Sequence, residues 1–425
     1  MRTTFSFIVL LLIILFGASC SHVETKPNIV FIFIDDMGWK DVGFMGATYY
    51  ETPNIDRLAN AGMVFTNAYA NAANCAPTRA CLLSGQYGPR HGLYTVAKSD
   101  RGQSKDRRIV PIENTLSIPL DKITIAEALK PAGYTSAAIG KWHIGNTPQE
   151  QGFDFGIDRG DLGYPYGHYN ADSVYLTDKL TEVAVDFIKD NNPNKTGKPF
   201  LLYLAHHAIH TPIQAKDEIT AKYESKDGVN CHNNATYAAM IESVDESVMN
   251  VNKTLEELGL SENTILIFFS DNGGHGTYTC QKPLRGGKGM YYEGGIREPM
   301  FAYWPGKIKG GTTSDVPVIS TDFYPTFLDL ANQQPKEDYI LDGKSITPLL
   351  FGNGNIERTA LFWHFPAYLE AYEGLMEDSR ILHSGPDRSA SSEKEIGSCC
   401  YSMKNGCWMV DALVSNQTML SNCII

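Results

Sequence analysis

The segment Asn28-Ile29-Val30-Phe31-Ile32-Phe33-Ile34-Asp35-Asp36 decides the fold. A strand with one wet face alternates apolar and polar residues. The run from Asn28 to Ile34 does not alternate, and such a run suits a central parallel strand covered on both faces. An α/β architecture follows. Pro199 to Ala205 and Thr264 to Phe269 have the same character, and Gly133 to Ile139 reads as a turn and strand. Thr236 to Leu258 reads as a long amphipathic helix: Tyr237, Met240, Ile241, Val244, Val248, Val251, Leu255 and Leu258 recur at three- and four-residue steps, and Gly259 ends it. Ile125 to Leu129 predicts a shorter helix.

Open α/β sheets place their sites beyond the carboxyl ends of strands, and here those ends are polar. Asp35-Asp36 follows the first run; two adjacent carboxylates repel each other, so they fit either a cation site or a solvated turn. Gly140-Lys141-Trp142-His143 follows the second strand, and in an extended segment Lys141 and His143 face the same way. His206-His207-Ala208-Ile209-His210-Thr211-Pro212 follows the third. Its three histidines bring zinc to mind, but a zinc site needs more convergent ligands than one loop offers. Ser270-Asp271-Asn272-Gly273-Gly274 follows the fourth, as a turn or as a source of hard oxygen ligands suited to calcium.

Asn74-Cys75-Ala76-Pro77-Thr78-Arg79-Ala80-Cys81-Leu82-Leu83-Ser84-Gly85 predicts a helix that Pro77 helps to open and Ser84-Gly85 closes. Cys75 then lies at a helix N-terminus, a favourable place for an anionic oxygen or a sulfate. The plainer alternative is a buried structural cysteine. Farther on, Lys282-Pro283-Leu284-Arg285-Gly286-Gly287-Lys288-Gly289 precedes Tyr292-Glu293-Gly294-Gly295-Ile296-Arg297-Glu298-Pro299. A Walker loop is excluded, because no Gly-x4-Gly-Lys-Ser/Thr occurs here.

Taken together these segments resemble the type I, formylglycine-dependent sulfatases of the alkaline phosphatase superfamily, from about Asn28 to Ser379. The shared features are Cys-x-Pro-Ser/Thr-Arg at Cys75, Thr52-Pro53-Asn54-Ile55-Asp56-Arg57-Leu58-Ala59, Gly-Lys-Trp-His at 140–143, and the glycine-rich pair of segments at 284–299. The later helix at 320–331 and the link at 341–350 match as well. The resemblance implies a large mixed, mostly parallel sheet flanked by helices, with a small C-terminal subdomain. It implies that Cys75 is oxidised by a maturation enzyme to Cα-formylglycine. It places Ca2+ on Asp35, Asp36, Asp271, Asn272 and residue 75. It gives Arg79 the ionised hydroxyl of that residue, His143 a contact with it, Lys141, His210 and Lys288 the sulfate, and His210 or Lys288 the leaving oxygen. Gln86 stands where many members carry Arg.

The implied activity is hydrolysis of sulfate monoesters, arylsulfatase-like, on a sulfated small molecule or glycan. A formylglycine phosphodiesterase or phosphonate hydrolase is the alternative, and an inactive truncated homologue is a third reading. The formal charge of −12 excludes nucleic acid as an expected partner. The loops from Ala97 to Asn114 and from Gly152 to Asn170 are expected to set the substrate.

Arg2, the apolar run Phe5 to Phe16 and the small residues before Cys20 read as a signal segment over 1–20. They predict an exported protein, in the periplasm, at the outer membrane through a lipid on Cys20, or outside the cell. Of nine cysteines, Cys75, Cys81, Cys231 and Cys280 belong to the body, with no spacing that demands bridges. The catalytic domain is expected over 27–350 and a C-terminal region over 351–425. After about residue 380 the chain is rich in Ser, Cys and Asn and has little strand or helix periodicity. A one-base shift, with permitted codons, turns this tail into a strand-rich ending of the family's kind. The expectation is therefore a corrupted or disordered subdomain there.

Overall fold

The computed structural model describes residues 26–369, 398–404 and 407–414. The expected signal segment and Cys20 lie outside the described residues, as does most of the tail after 380. Among the described residues no helix is long and apolar enough to cross a membrane.

The main sheet has nine strands: β1 (Asn28–Ile34), β2 (Met63–Tyr69), β3 (Thr135–Gly140), β4 (Phe155–Ile157), β5 (Phe200–Ala205), β6 (Thr264–Ser270), β7 (Arg297–Tyr303), β8 (Thr312–Ser314) and β9 (Val318–Ile319). Their order is β4-β3-β5-β1-β6-β7-β2-β8, with β9 also on β2. Only β7 runs against its neighbours β6 and β2. The sheet is thus mixed and mostly parallel, and β1 lies inside it between β5 and β6.

All seven residues of β1 are buried, and alternate side chains feed opposite faces. Ile29, Phe31 and Phe33 join one core with Ala76, Ala80, Leu82 and Leu83 of the helix Cys75–Ser84 and with Phe323 and Phe327 of the helix Phe323–Leu330. Val30, Ile32 and Ile34 join the other, beneath Tyr237, Ile241, Val244 and Val248 of the helix Ala235–Glu257. Each such side chain contributes about 1.5–3 kcal/mol when fully buried, which explains why β1 has no polar position after Asn28. The observed helix Ala235–Glu257 matches the predicted one to within a residue at each end.

β10 (Leu361–His364), β11 (Ser398–Lys404) and β12 (Cys407–Val414) form a separate antiparallel sheet. Trp363 joins it to the main domain: its indole is buried, and Nε1 donates to the Ala70 carbonyl at 2.7 Å. Two segments of the tail thus pair into strands although their sequence shows little strand periodicity; β11 pairs with β10, and β12 with β11.

A correction concerns the cysteines. Cys231 and Cys280 are joined by a disulfide, 49 residues apart in sequence and 6.0 Å apart between Cα atoms. No local spacing announces it, because two remote loops meet only in the folded chain.

Candidate active site

The four central strands end level with one another. Phe33 pairs with Ala205, Ile34 with Ser270, and Gly140 with Ala205. The next residues, Asp35, Asp271, Lys141 and His206, therefore leave the sheet at one height. Backbone bonds hold them there: Asp271 N–H donates to Ile34 O at 3.0 Å, and Lys141 N–H to Ala205 O at 2.8 Å. Gly140 has φ +97°, and a Cβ on it would stand 2.0 Å from Ala205 O, so the turn that delivers Lys141 requires glycine.

The helix Cys75–Ser84 opens after Asn74, which is extended, and ends at Gly85 with φ +67°. Cys75 is its first residue and only 1% exposed. The loop before it is closed by Thr78, whose hydroxyl donates to Ala72 O at 2.9 Å and accepts from Ala72 N–H at 3.1 Å. A third segment is pinned to this loop: Gly289 N–H donates to Ala73 O at 2.8 Å and Lys288 N–H to Gly274 O at 3.0 Å.

These elements bring the ligand atoms of Asp35, Asp36, Asp271 and Cys75 within 4.8 Å of one another. The Cys75 thiol lies 3.8 Å from Asp36 Oδ1, which also accepts from Asn272 Nδ2 at 2.8 Å. Lys141 Nζ donates to Asp35 Oδ2, and Lys288 Nζ to Asp36 Oδ2 at 2.7 Å. Arg79 is wholly buried; Nη2 and Nε both reach Asp271 Oδ2, at 2.6 and 3.1 Å, and Nη1 donates to Lys141 O at 2.7 Å. Asp36 has φ +64°, a left-handed conformation of the kind that persists where the surroundings enforce it.

Three carboxylates this close are stable only among cations. Burial alone would raise the Asp35 carboxyl, but Lys141, His210, Arg79 and Lys288 hold it well below its ordinary value. Asp36 is likewise lowered, against burial, chiefly by Lys288. Asp271 is raised to about 7 by burial and by Asp35, despite Arg79. The Cys75 thiol is pushed far up by burial and by Asp35. Oδ1 of Asp35 and Oδ1 of Asn272 are buried without a hydrogen-bond partner. Buried lone pairs left unpaired are costly, and two of them beside two further carboxylates fit a hard divalent cation such as Ca2+.

The ten residues singled out in the sequence do not all sit alike. Asp35, Asp36, Cys75, Arg79, Lys141, Asp271 and Asn272 form the buried cluster, and the partly exposed Lys288 reaches into it through Asp36. His210 stands at its edge, Nε2 3.9 Å from Asp36 Oδ2 and partly open to solvent. His143 departs from the extended segment expected for it: its φ is +62°, its side chain is exposed, and among the described residues it makes no hydrogen bond. Although the residue is open to solvent, its ring is crowded by protein atoms on the side facing the cluster, and this with Lys141 and Arg79 lowers its pKa. His206 and His207 turn elsewhere, to Ser247 Oγ at 2.9 Å and Asp158 Oδ1 at 2.6 Å, so the three histidines of that loop do not converge.

Sequence reasoning missed two acids. Asp41 is fully buried and accepts from Gly38 N–H at 2.8 Å, Tyr237 OH at 2.8 Å and Thr279 Oγ1 at 2.6 Å, tying the Asp35-Asp36 loop to two other segments. Glu298, on β7, is fully buried with neither carboxylate oxygen in a hydrogen bond, and burial with Asp271 nearby raises its pKa well above the ordinary carboxylate value. Neither stands at the end of a predicted strand, and only the folded packing reveals them.

A family model described as Sulfatase matches residues 27–333. The chain belongs to the sulfatase family. It is a sulfuric ester hydrolase with the alkaline-phosphatase-like fold. A sulfatase of Formosa agariphila is 33% identical over 424 residues, covering 81% of this chain and 76% of its own. N-acetylgalactosamine-6-sulfatase of Canis lupus familiaris is 32% identical, covering 82% and 70%. The crystal structure of Ps i-CgsB in complex with k-i-k-neocarrahexaose superposes with a TM-score of 0.69 at 29% identity, over 94% of this sulfatase and 90% of that chain.

Proposed function

We propose that this sulfatase hydrolyses carbohydrate sulfate monoesters, with Cys75 converted to formylglycine by a maturation enzyme and Ca2+ held by Asp35, Asp36, Asp271 and Asn272. The observation that carries the reading is the pair of buried oxygens without a hydrogen-bond partner, Asp35 Oδ1 (3.9 Å from Arg79 Nη2) and Asn272 Oδ1, beside a cysteine at a helix N-terminus. Loaded in this way, the site would supply a metal-oriented oxygen nucleophile from the hydrated aldehyde of residue 75.

The remaining work falls to the chain's own side chains. A sulfate ester is anionic and repels a nucleophile, so cations must surround its oxygens. Lys141 and Lys288 both have raised pKa values and keep their charge, and they stand on different carboxylates of the cluster. Between them they would hold two sulfate oxygens. Arg79 is fixed by Asp271 and Lys141 O and keeps a permanent positive charge beside residue 75. His210, at the edge of the cluster, or Lys288, against Asp36, would protonate the leaving oxygen; burial lowers the His210 pKa, so that ring would have to donate from its protonated fraction. His143, neutral at physiological pH, would accept the proton of the second hydroxyl.

The leader at 1–20 supports export, with Cys20 as the point of a lipid anchor if cleavage falls before it. A frame shift near residue 380 is tested by sequencing the coding DNA. Rates on 4-nitrophenyl sulfate and bis(4-nitrophenyl) phosphate test the activity. The sulfate ester is expected to be the better substrate; preference for the phosphodiester would make the chain a phosphodiesterase of the same superfamily.

A further inference from the structure

We infer that the loop 98–108 is a second anion-binding surface beside the active site, and that the substrate is a polyanionic glycan with a sulfate or carboxylate beyond the one removed. The inference rests on the sulfatase reading above and extends it to the substrate class.

The loop carries five cations, Lys98, Arg101, Lys105, Arg107 and Arg108, against two carboxylates, Asp100 and Asp106, in a chain whose formal charge is −12. These cations divide into two groups. Arg107 turns inward: it donates to Gly102 O at 2.9 Å and to Asp100 O, and pairs with the Asp100 carboxylate at 3.6 Å. Arg101, half-buried, donates to Thr95 Oγ1 at 2.7 Å. These two brace the loop. Lys98, Lys105 and Arg108 are exposed, and among the described residues their side chains make no hydrogen bond or ion pair. Three exposed cations without an ion pair, against Asp106 as the loop's single carboxylate not paired among the described residues, give the braced loop a local positive charge in a chain whose formal charge is −12.

The loop is fixed next to the site. Tyr368 N–H donates to Ser99 O at 2.7 Å, and the Tyr368 hydroxyl accepts from the N–H groups of Arg108 and Ile109 at 2.8 and 2.9 Å. The adjacent Leu369 bridges to the catalytic segment. Its carbonyl oxygen lies 3.5 Å from where a Cβ on Gly102 would stand, and its Cδ1 lies 3.0 Å from where one on Gly289 would stand. Gly289 follows Lys288. One residue therefore separates the basic loop from the segment bearing a sulfate-binding lysine. A small aryl sulfate engaged at Lys141 and Lys288 leaves this surface untouched, whereas a chain with repeated anions runs onto it.

The test compares native protein with Lys98→Glu/Lys105→Glu/Arg108→Glu, substitutions at exposed positions. Binding is measured with Cys75→Ser protein in both backgrounds, using a heparin-derived hexasaccharide and a sulfated galactan hexasaccharide, each beside its desulfated form. Turnover is measured on 4-nitrophenyl sulfate. The expected result is a Kd for at least one sulfated hexasaccharide raised about tenfold or more by the triple variant, with a shallower salt dependence, and kcat/KM on 4-nitrophenyl sulfate unchanged. Equal binding by variant and native protein, or no binding of either sulfated hexasaccharide by native protein, overturns the inference. Loss of all turnover with the binding difference intact would instead count against the catalytic reading alone.

Discussion

Asn272 donates from Nδ2 to Oδ1 of Asp36 at 2.8 Å, while its own Oδ1, also buried, has no hydrogen-bond partner. A cation in the cluster would use that oxygen. Adding Ca2+ to chelator-treated protein is expected to raise Tm, since a ligand at 100 times its Kd stabilises the folded state by about 2.7 kcal/mol. Asn272→Leu should remove most of the shift. A Tm indifferent to Ca2+ and to chelator would reject the site.

Cys75 as a thiol is a poor nucleophile, because burial and Asp35 keep it protonated. Activity is therefore expected to track aldehyde content. Peptides spanning residue 75 should react with a hydrazide, iodoacetamide should leave activity unchanged, and Cys75→Ala should lower kcat by on the order of 10⁴-fold or more. Full activity in protein whose Cys75 alkylates quantitatively would contradict this.

Arg79 and Asp271 form a fully buried ion pair. Removing one partner strands the other, at a cost of about 3–5 kcal/mol. Arg79→Met is expected to destabilise by that amount, and Arg79→Met/Asp271→Asn by clearly less. Urea unfolding of the three proteins measures the coupling; strict additivity would show the pair to be energetically independent.

His206 is buried and its pKa falls to about 3, through burial and then His207. An unfolded histidine titrates near 6.5. Below that value the unfolded chain takes up a proton that the folded chain refuses. The stabilisation is thus complete above about pH 6.5 and is lost as pH falls toward 3; the loss reached at pH 5 is about 2 kcal/mol. His206→Asn should flatten the decline in stability between pH 7 and 5, whatever it does to stability at pH 7. An unchanged slope would show that His206 is not responsible.

The Cys231–Cys280 disulfide closes a loop of 49 residues. Chain entropy assigns such a closure about 4 kcal/mol. Cys231→Ser/Cys280→Ser is expected to lose up to that much, and reducing agent should lower the Tm of native protein but not of the double variant. Equal Tm values under oxidising conditions would show the closure to be thermodynamically idle.

The sequence revealed the strands and their polar ends for one reason: β1, β5 and β6 are buried on both faces, so apolar content alone marks them, and the first polar residue marks where each stops. Asp35 and Asp271 were legible on that ground, Lys141 from the turn and strand before it, and the helix at Cys75 from Pro77 and Ser84-Gly85; the family resemblance added their grouping. His143 was misread because an extended course was assumed through a segment that turns left-handed at φ +62°. Asp41 and Glu298 lie inside the packing rather than at strand ends. The disulfide and the pairing of β11 with β10 depend on partners farther off in sequence, which no local pattern encodes.

The deep enclosure of residue 75, 1% exposed at the head of its helix, also fixes an order of events. An oxidising enzyme needs the backbone around its target in its own cleft, and the finished domain offers none of it. Under the proposed function, conversion of Cys75 would therefore have to precede closure of the sheet. A molecule that collapsed first would keep its sulfur for life.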